Sequence, residues 1–253
     1  MNIYTKSSRN GMERMEDSMR YMSIMVDSLG SDRLFIAAVA DGVGSLSRSS
    51  ESSRYAVASL FQEAVELALS EEFASAGVAA RNSLIATWAD IVLDRLSTRL
   101  RDRFFDCDVG STLTFAVDYS GTVTVCGCGD SPAILVRGSS AELFIPLDRA
   151  EGTQNTIVQY LGSPKVHLKG NIRAFEPERG DRLLIGSDGA FGRVSLEDVA
   201  RLAVSGAGGD AVESILAAAA STTGDNQSLV LLHFIGDETK NKETWLPWKR
   251  KKG

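Results

Sequence analysis

Four aspartates lie at turns beside segments that read as β-strands, and they are spread over the whole chain. They are Asp17, Asp41, Asp188 and Asp225. Asp41 and Asp188 each stand directly before a glycine and after an apolar or small-residue segment, a pattern typical of a tight turn. A single Asp-Gly pair is usually structural. Because strand ends at one edge of a sheet pair bring distant residues together, four such sites predict a fold in which these carboxylates converge.

Converging carboxylates repel one another unless cations neutralise them, and hard oxygen ligands of this kind select Mg²⁺ or Mn²⁺. Two such ions can share a water, lower its pKa and stabilise the charge that develops during phosphoryl hydrolysis. No nucleophilic side chain is then required. This suits a chain with only two histidines and with neither a Gly-x-Ser-x-Gly nor a Cys-x₅-Arg element. The sequence therefore indicates metal-assisted hydrolysis at a carboxylate site.

The composition limits the classes of molecule that the protein is expected to bind and the cellular compartment in which it is expected to lie. The 253 residues suffice for one sizeable core. The net charge is −6 although residues 249–252 are all basic, so the body of the chain is acidic, which argues against nucleic acid as the main ligand. Neither a membrane-spanning segment nor a secretory signal is expected. Three cysteines are too few for a disulfide scaffold, so a cytoplasmic location is expected.

The spacing of apolar residues predicts an α+β fold in which helices cover an antiparallel sheet pair. Segment 33–40 is almost continuously apolar, so both faces of that strand are expected to be buried. Two long amphipathic helices are predicted at 50–73 and 79–103 as antiparallel neighbours. Residues 147–163 are expected to form an irregular loop with one short helical stretch near 156–161. Further strands are predicted at 20–28, 111–118, 121–127, 132–137, 142–145, 182–186 and 228–235, and further helices after Ser195 and at 209–220.

A change towards polar and charged residues predicts a division of the chain. Residues 1–236 are expected to form one domain, and residues 237–253 a flexible basic tail. The tail places Trp245 and Trp248 beside the basic run 249–252, a combination that could touch an anionic membrane surface or an acidic partner. A solvated tail is the simpler alternative.

Six short motifs follow one another along the chain. They are Glu16-Asp17, Asp41-Gly42-Val43-Gly44, Gly110-Ser111-Thr112, Gly129-Asp130-Ser131, Ser187-Asp188-Gly189 and Asp225-Asn226. No single motif is specific, but in this order and rough spacing the set resembles the PPM (PP2C-like) metal-dependent serine/threonine protein phosphatases, in a bacterial-type form. The motifs cover about residues 10–235. The resemblance implies a four-layer α-β-β-α sandwich of two mainly antiparallel sheets flanked by helices, with the metal site at one edge.

The resemblance also implies a role for the catalytic carboxylates. Asp41 would bridge two Mn²⁺ or Mg²⁺ ions, and the carbonyl of Gly42 would help to hold one of them. Asp188 and Asp225 would bind one ion directly. A water activated by the two ions would then hydrolyse phosphoserine or phosphothreonine without a covalent intermediate.

Three further acidic residues receive supporting roles from the same resemblance. Asp17, with Glu16 beside it, would support the second ion directly or through water. Asp130 matches the position of a third, weaker metal ion. The expected cofactors are thus two Mn²⁺ or Mg²⁺ ions, with Asp130 as the place for a third.

One position departs from the family pattern. The family usually has an arginine shortly before the Glu-Asp pair, where it contacts the substrate phosphate, and Met12 stands at the aligned position. Arg14 is the nearby candidate for phosphate binding. In a regular strand, however, its side chain would point away from the face that carries Asp17. Weaker substrate binding is expected from this departure more than a loss of chemistry.

Residues 147–163 correspond to the region where the family has a variable flap beside the active site. They include Asp148, Arg149 and Glu151. One interpretation is that this loop selects substrates, and the other is that it is a plain connection.

The expected partner is a phosphorylated protein whose modification opposes a serine/threonine kinase. Two alternatives stay open. The absence of the family arginine would fit a non-catalytic binding or regulatory module on the same fold, although such a module has no physical reason to keep four mutually repelling carboxylates. A metal phosphatase that acts on a small phosphorylated molecule is the other alternative.

Overall fold

The computed structural model describes residues 1–27, 32–150, 156–164 and 167–236. Within these ranges, ten strands form two five-stranded sheets, and six helices accompany them. The strands are β1 (Asn2–Ser8), β2 (Asp17–Met25), β3 (Arg33–Asp41), β4 (Leu113–Tyr119), β5 (Thr122–Cys128), β6 (Ala133–Arg137), β7 (Ser140–Leu143), β8 (Asn171–Phe175), β9 (Arg182–Gly186) and β10 (Gln227–His233). The helices are α1 (Ser49–Leu69), α2 (Glu71–Ser75), α3 (Val78–Arg103), α4 (Asp188–Phe191), α5 (Leu196–Val204) and α6 (Gly208–Ala220).

The two sheets stack face to face between two helical layers. The first sheet has the order β1-β10-β9-β6-β7 and the second the order β2-β3-β4-β5-β8, and the neighbouring strands are antiparallel. One apolar cluster joins α1 and α3 to the second sheet, another fills the space between the sheets, and a third joins the first sheet to α4, α5 and α6. The predicted α+β sandwich of four layers is confirmed.

Strand β3 shows why the sequence folds in this way. Successive strand side chains point to opposite faces, so a strand buried on both faces needs a continuous apolar sequence. Leu34 and Ile36 belong to the cluster shared with α1 and α3, whereas Phe35 and Val39 belong to the cluster between the sheets. As predicted, both faces are buried. The strand ends at Asp41, so this buried strand places a carboxylate at the edge of the sheet.

The predicted helical stretch near 156–161 is wrong. The backbone of this segment pairs across the chain instead of forming turns of helix, because Val158 N donates to Asp148 O at 2.8 Å and Ala150 N donates to Thr156 O at 2.9 Å. Leu161 in turn exchanges backbone hydrogen bonds with Ser111. The described part of the loop is therefore a short two-stranded ladder that is tied to the core.

Two edge strands lie outside the elements predicted from the sequence. Strand β1 pairs with β10 over its whole length, from Asn2 opposite His233 to Ser8 opposite Gln227. Strand β8 pairs with β5 at the far edge of the second sheet. Neither strand contains a fully buried residue, so neither carries the apolar run that marks the central strands in the sequence.

The proposed tail at 237–253 and its tryptophans lie outside the described residues, and the division of the chain at residue 236 stays a prediction. In the part of the chain that the structure covers, none of the helices has the length and apolar character needed to cross a membrane.

Candidate metal centre

The four aspartates predicted from the turns come from the same edge of the two sheets. Asp17 begins β2 and Asp41 ends β3, and the two residues face each other directly in the antiparallel register. Asp188 begins α4, two residues after the end of β9, and Asp225 lies two residues before β10. Strands β9 and β10 are neighbours in the other sheet. Each sheet therefore supplies one pair of carboxylates.

A cavity of about 560 Å³ opens between these strand ends. Asp41, Asp188 and Asp225 line it, while Asp17 is buried beside Asp41 and is only 5% exposed. The other described residues that line the cavity are polar or glycine, apart from Val43 and Ile157. They comprise Glu16, Gly42, Gly44, Ser45, Thr112, Asp130, Arg149, Gly189, Gly192, Arg193, Thr222 and Thr223.

The glycines of the two Asp-Gly pairs are required by close packing. A Cβ atom added at Gly42 would collide with the carbonyl oxygen of Ser49 in the first turn of α1. A Cβ atom added at Gly189 would collide with the carbonyl oxygen of Asn226, which precedes β10. The sequence pattern suggested turns, but neither glycine needs a positive φ angle. Each allows a second backbone to approach the carboxylate beside it.

Two of the six motifs meet behind Asp41. The Asp41 amide donates to Thr112 Oγ1 at 2.9 Å, and Thr112 Oγ1 lies 2.6 Å from Ser131 Oγ. Thr112 and Ser131 are both about 1% exposed. Because buried hydroxyls of this kind are costly to leave unpaired, the pair fixes the backbone of Asp41. The sequence motif Gly110-Ser111-Thr112 gives no indication of this positioning role.

Asn226 holds the other side of the site together. Its Oδ1 accepts from the amide of Glu16 at 2.6 Å, and its Nδ2 donates to the carbonyl of Arg14 at 3.1 Å. The Glu16 side chain accepts from Ser49 Oγ at 2.6 Å. The predicted supporting residue Glu16 is thus fixed to α1 and to the start of β10. Asn226 was visible in the sequence only as half of an Asp-Asn turn.

The donor set fits a divalent cation. Oδ1 of Asp17 and Oδ1 of Asp188 are both buried, and neither receives a hydrogen bond from the described residues. The other oxygen of Asp17 accepts from Ser187 Oγ at 2.7 Å. Buried carboxylate oxygens without donors are costly, and a cation is the partner that would satisfy them. Asp41 and Asp225 add further hard oxygen ligands beside them.

The burial and closeness of these carboxyl groups also change their pKa values. Burial raises the pKa of Asp17 from 3.8 to about 6, although the hydrogen bond from Ser187 opposes the rise. Burial, followed by the charges of Asp130 and Asp225, raises the pKa of Asp188 to about 6. The pKa of Asp41 lies well above its ordinary value, because this carboxyl is buried and faces three others. The positive charge of a bound cation would oppose each rise by stabilising the charged carboxylates.

The carboxylates nevertheless do not form a complete metal-coordination site in this structure. Among the described residues, no group of three or more histidine, cysteine, aspartate or glutamate side chains is already placed to hold a metal ion. Side-chain rotations would therefore accompany metal binding.

Comparison with known proteins decides the family. The family described as "Protein phosphatase 2C" matches residues 15–229, which contain all four aspartates. The chain belongs to this family. No curated protein matches the sequence.

Solved structures share the fold of this protein phosphatase 2C chain at low identity. A bacterial serine phosphatase is 16% identical with a TM-score of 0.77, over 94% of this chain and 99% of the other. The PPM Ser-Thr phosphatase MsPP from Mycobacterium smegmatis, in complex with cacodylate, is 20% identical with a TM-score of 0.68, over 92% and 98%. The catalytic domain of the serine threonine protein phosphatase PstP, in complex with 2 manganese ions, is 19% identical with a TM-score of 0.63, over 91% and 96%.

The arginines that line the cavity of this phosphatase-family chain are not Arg14, the phosphate-binding candidate from the sequence. Arg14 lies in the loop between β1 and β2, outside any strand, with its side chain exposed and not among those that line the cavity. Arg149 and Arg193 line the cavity instead. The sequence identifies Arg149 only as part of the flap region. It does not identify Arg193 as a site residue, because Arg193 follows a glycine in an irregular segment.

Proposed function

We propose that this protein is a Mn²⁺- or Mg²⁺-dependent phosphatase that hydrolyses phosphoserine and phosphothreonine in protein substrates without a covalent intermediate. The observation that carries the proposal is a pair of buried oxygens, one on Asp17 and one on Asp188, that receive no hydrogen bond from the described residues. They belong to a site that the two sheets build from separate strand ends. Membership of the protein phosphatase 2C family supports the phosphatase chemistry. The solved structure of PstP with two manganese ions supports the choice and number of ions.

The residues of the site have separate proposed roles in holding the two ions. Asp41 is the residue proposed to contact both ions, and the Gly42 carbonyl would help to hold one of them. Asp188 and Asp225 would bind one ion directly, and Asp17, supported by Glu16, would support the other. When bound, the two ions supply the positive charge and the activated water of hydrolysis. Thr112 and Ser131 hold the Asp41 backbone in place, and Asn226 holds the opposite wall.

The lining of the cavity favours a protein substrate over a small molecule. Small-molecule pockets are lined mainly by apolar and aromatic side chains that enclose the ligand. Among the described residues that line this cavity, only Val43 and Ile157 are large and apolar, and the others are charged, polar or glycine. Such a site can bind a phosphate group but offers little surface to enclose a carbon skeleton. A kinase-opposing role and a cytoplasmic location stay predictions of the same proposal.

Hydrolysis of a phosphothreonine peptide with increasing Mn²⁺ at neutral to mildly alkaline pH tests the proposal. We expect turnover that requires the metal and falls at least about a hundredfold in Asp41→Asn and Asp188→Asn, because each removes a ligand charge at the reaction centre. Arg54→Ala, on the exposed face of α1, is the control for substitution itself. Metal binding without turnover would favour the non-catalytic module, and turnover only on small phosphate esters would favour the small-molecule enzyme.

A further inference from the structure

Arg149 bridges two carboxylates of the site. Its Nε lies 3.1 Å from Oδ2 of Asp130, and one terminal guanidinium nitrogen lies 3.8 Å from Oδ2 of Asp188. Asp130 is only 5% exposed, and the Arg149 side chain is 31% exposed. A fixed positive charge thus lies where the sequence resemblance placed a third metal ion.

The position of Arg149 is built into the fold. The amide of Asp148 donates to Gly129 O at 2.9 Å, and the amide of Gly129 donates back to Asp148 Oδ2 at 2.9 Å. Asn171 Nδ2 fixes the other oxygen of Asp148 at 3.1 Å. Arg149 itself pairs with Ile157 in the ladder of the loop. These contacts hold the loop directly against the turn that carries Asp130.

The two oxygens of Asp188 have different surroundings. Oδ2 faces Arg149, whereas Oδ1 is buried and receives no hydrogen bond from the described residues. One oxygen is therefore compensated by the protein, and the other is left for a cation. Asp130 differs from Asp188 because Arg149 Nε donates a hydrogen bond to its Oδ2 at 3.1 Å, and neither of its oxygens is a buried atom without a partner among the described residues.

We propose that Arg149 is an internal cation that takes the place of a third divalent ion between Asp130 and Asp188, so that the site binds two ions. The inference rests on the proposed two-metal function. A divalent ion that used both carboxylates would have to displace the guanidinium or lie within a few ångströms of it, where like charges repel strongly. An arginine does not lose its proton in proteins, so changes of pH do not open the position.

Counting bound Mn²⁺ by equilibrium dialysis and calorimetry up to millimolar concentration tests this assignment. We expect two ions in the wild-type protein and three in Arg149→Ala. Asp130→Asn in the Arg149→Ala background should return the count to two. Arg193→Ala removes a charge from the same cavity without touching Asp130 in any contact described above, so it should keep two ions. The third site of Arg149→Ala should bind at least about tenfold more tightly than any third event in the wild type.

Each other outcome has a defined meaning. Three ions in the wild type, with one lost in Asp130→Asn, would overturn the assignment of Arg149 and leave the proposed function intact. Two ions in Arg149→Ala with unchanged affinities would overturn it as well. No bound Mn²⁺ in the wild type would overturn the proposed function itself. If Arg149→Ala does not fold, as judged by circular dichroism, Arg149→Gln provides a second neutral side chain for the same count.

Discussion

Asp17→Asn is expected to stabilise the metal-free protein at mildly alkaline pH. Asp17 is 5% exposed and accepts one hydrogen bond from Ser187, while its other oxygen receives none from the described residues. Asparagine has nearly the same shape and no charge. Its carbonyl can still accept from Ser187, and its amide can donate towards Asp41. The substitution therefore removes a buried charge with little change in packing.

The magnitude follows from the shift in acidity. Burial raises the pKa of Asp17 from 3.8 in the unfolded chain to about 6 in the folded one. Between these values the folded protein holds the proton that the unfolded chain has lost, so stability falls as pH rises and the full cost is present above about pH 7. A shift of about two units corresponds to about 3 kcal/mol. At about pH 4 the cost is below about 1 kcal/mol, because the folded protein keeps its proton and the unfolded chain has lost it only in part.

Urea unfolding followed by circular dichroism in the presence of a chelator measures the difference. We expect Asp17→Asn to gain about 2–3 kcal/mol over the wild type at about pH 8, and less than about 1 kcal/mol at about pH 4. With saturating Mn²⁺ the order should reverse, because the wild type gains binding energy that the variant lacks. A variant that is destabilised equally at both pH values would contradict a cost that comes from the buried charge, since the loss would then not depend on pH.

Three other substitutions test separate parts of the site. Gly189→Ala should cost about 1–3 kcal/mol in urea unfolding and weaken Mn²⁺ binding, because its Cβ collides with Asn226, whereas Gly224→Ala meets open space and should not. Thr112→Val should cost about 1–3 kcal/mol by leaving the Asp41 amide and Ser131 without their partner, and unchanged unfolding would contradict the positioning role. Arg193→Ala should raise KM for a phosphopeptide roughly 3- to 10-fold with kcat little changed; a larger effect of Arg14→Ala would favour the candidate chosen from the sequence.

The parts of the fold that the sequence predicts are those whose cause is local. Strand β3 is continuously apolar because both of its faces are buried, and that pattern is visible without any partner. Asp41 and Asp188 are visible because each stands between an apolar strand and a glycine. The helices α1 and α3 likewise carry their own apolar stripes. In these segments the local pattern and the final environment agree.

The parts that the sequence does not predict depend on pairing between distant segments. Strand β1 exists because its backbone completes β10, more than two hundred residues away. The segment near 156–161 reads as helical but pairs with Asp148 and Ser111 instead. Arg149 reaches the site only because Gly129 and Asp148 exchange hydrogen bonds, a contact that no local pattern encodes. Long-range hydrogen bonds of this kind override local preference.

A crystal structure of the protein soaked with Mn²⁺, with the ions located by anomalous scattering at the manganese edge, tests the central claim most directly. We expect two peaks between the sheets, contacted by Asp41, Asp188 and Asp225 and by the carbonyl of Gly42, with Arg149 still bound to Asp130. Manganese bound elsewhere, with the four aspartates left apart, would contradict it.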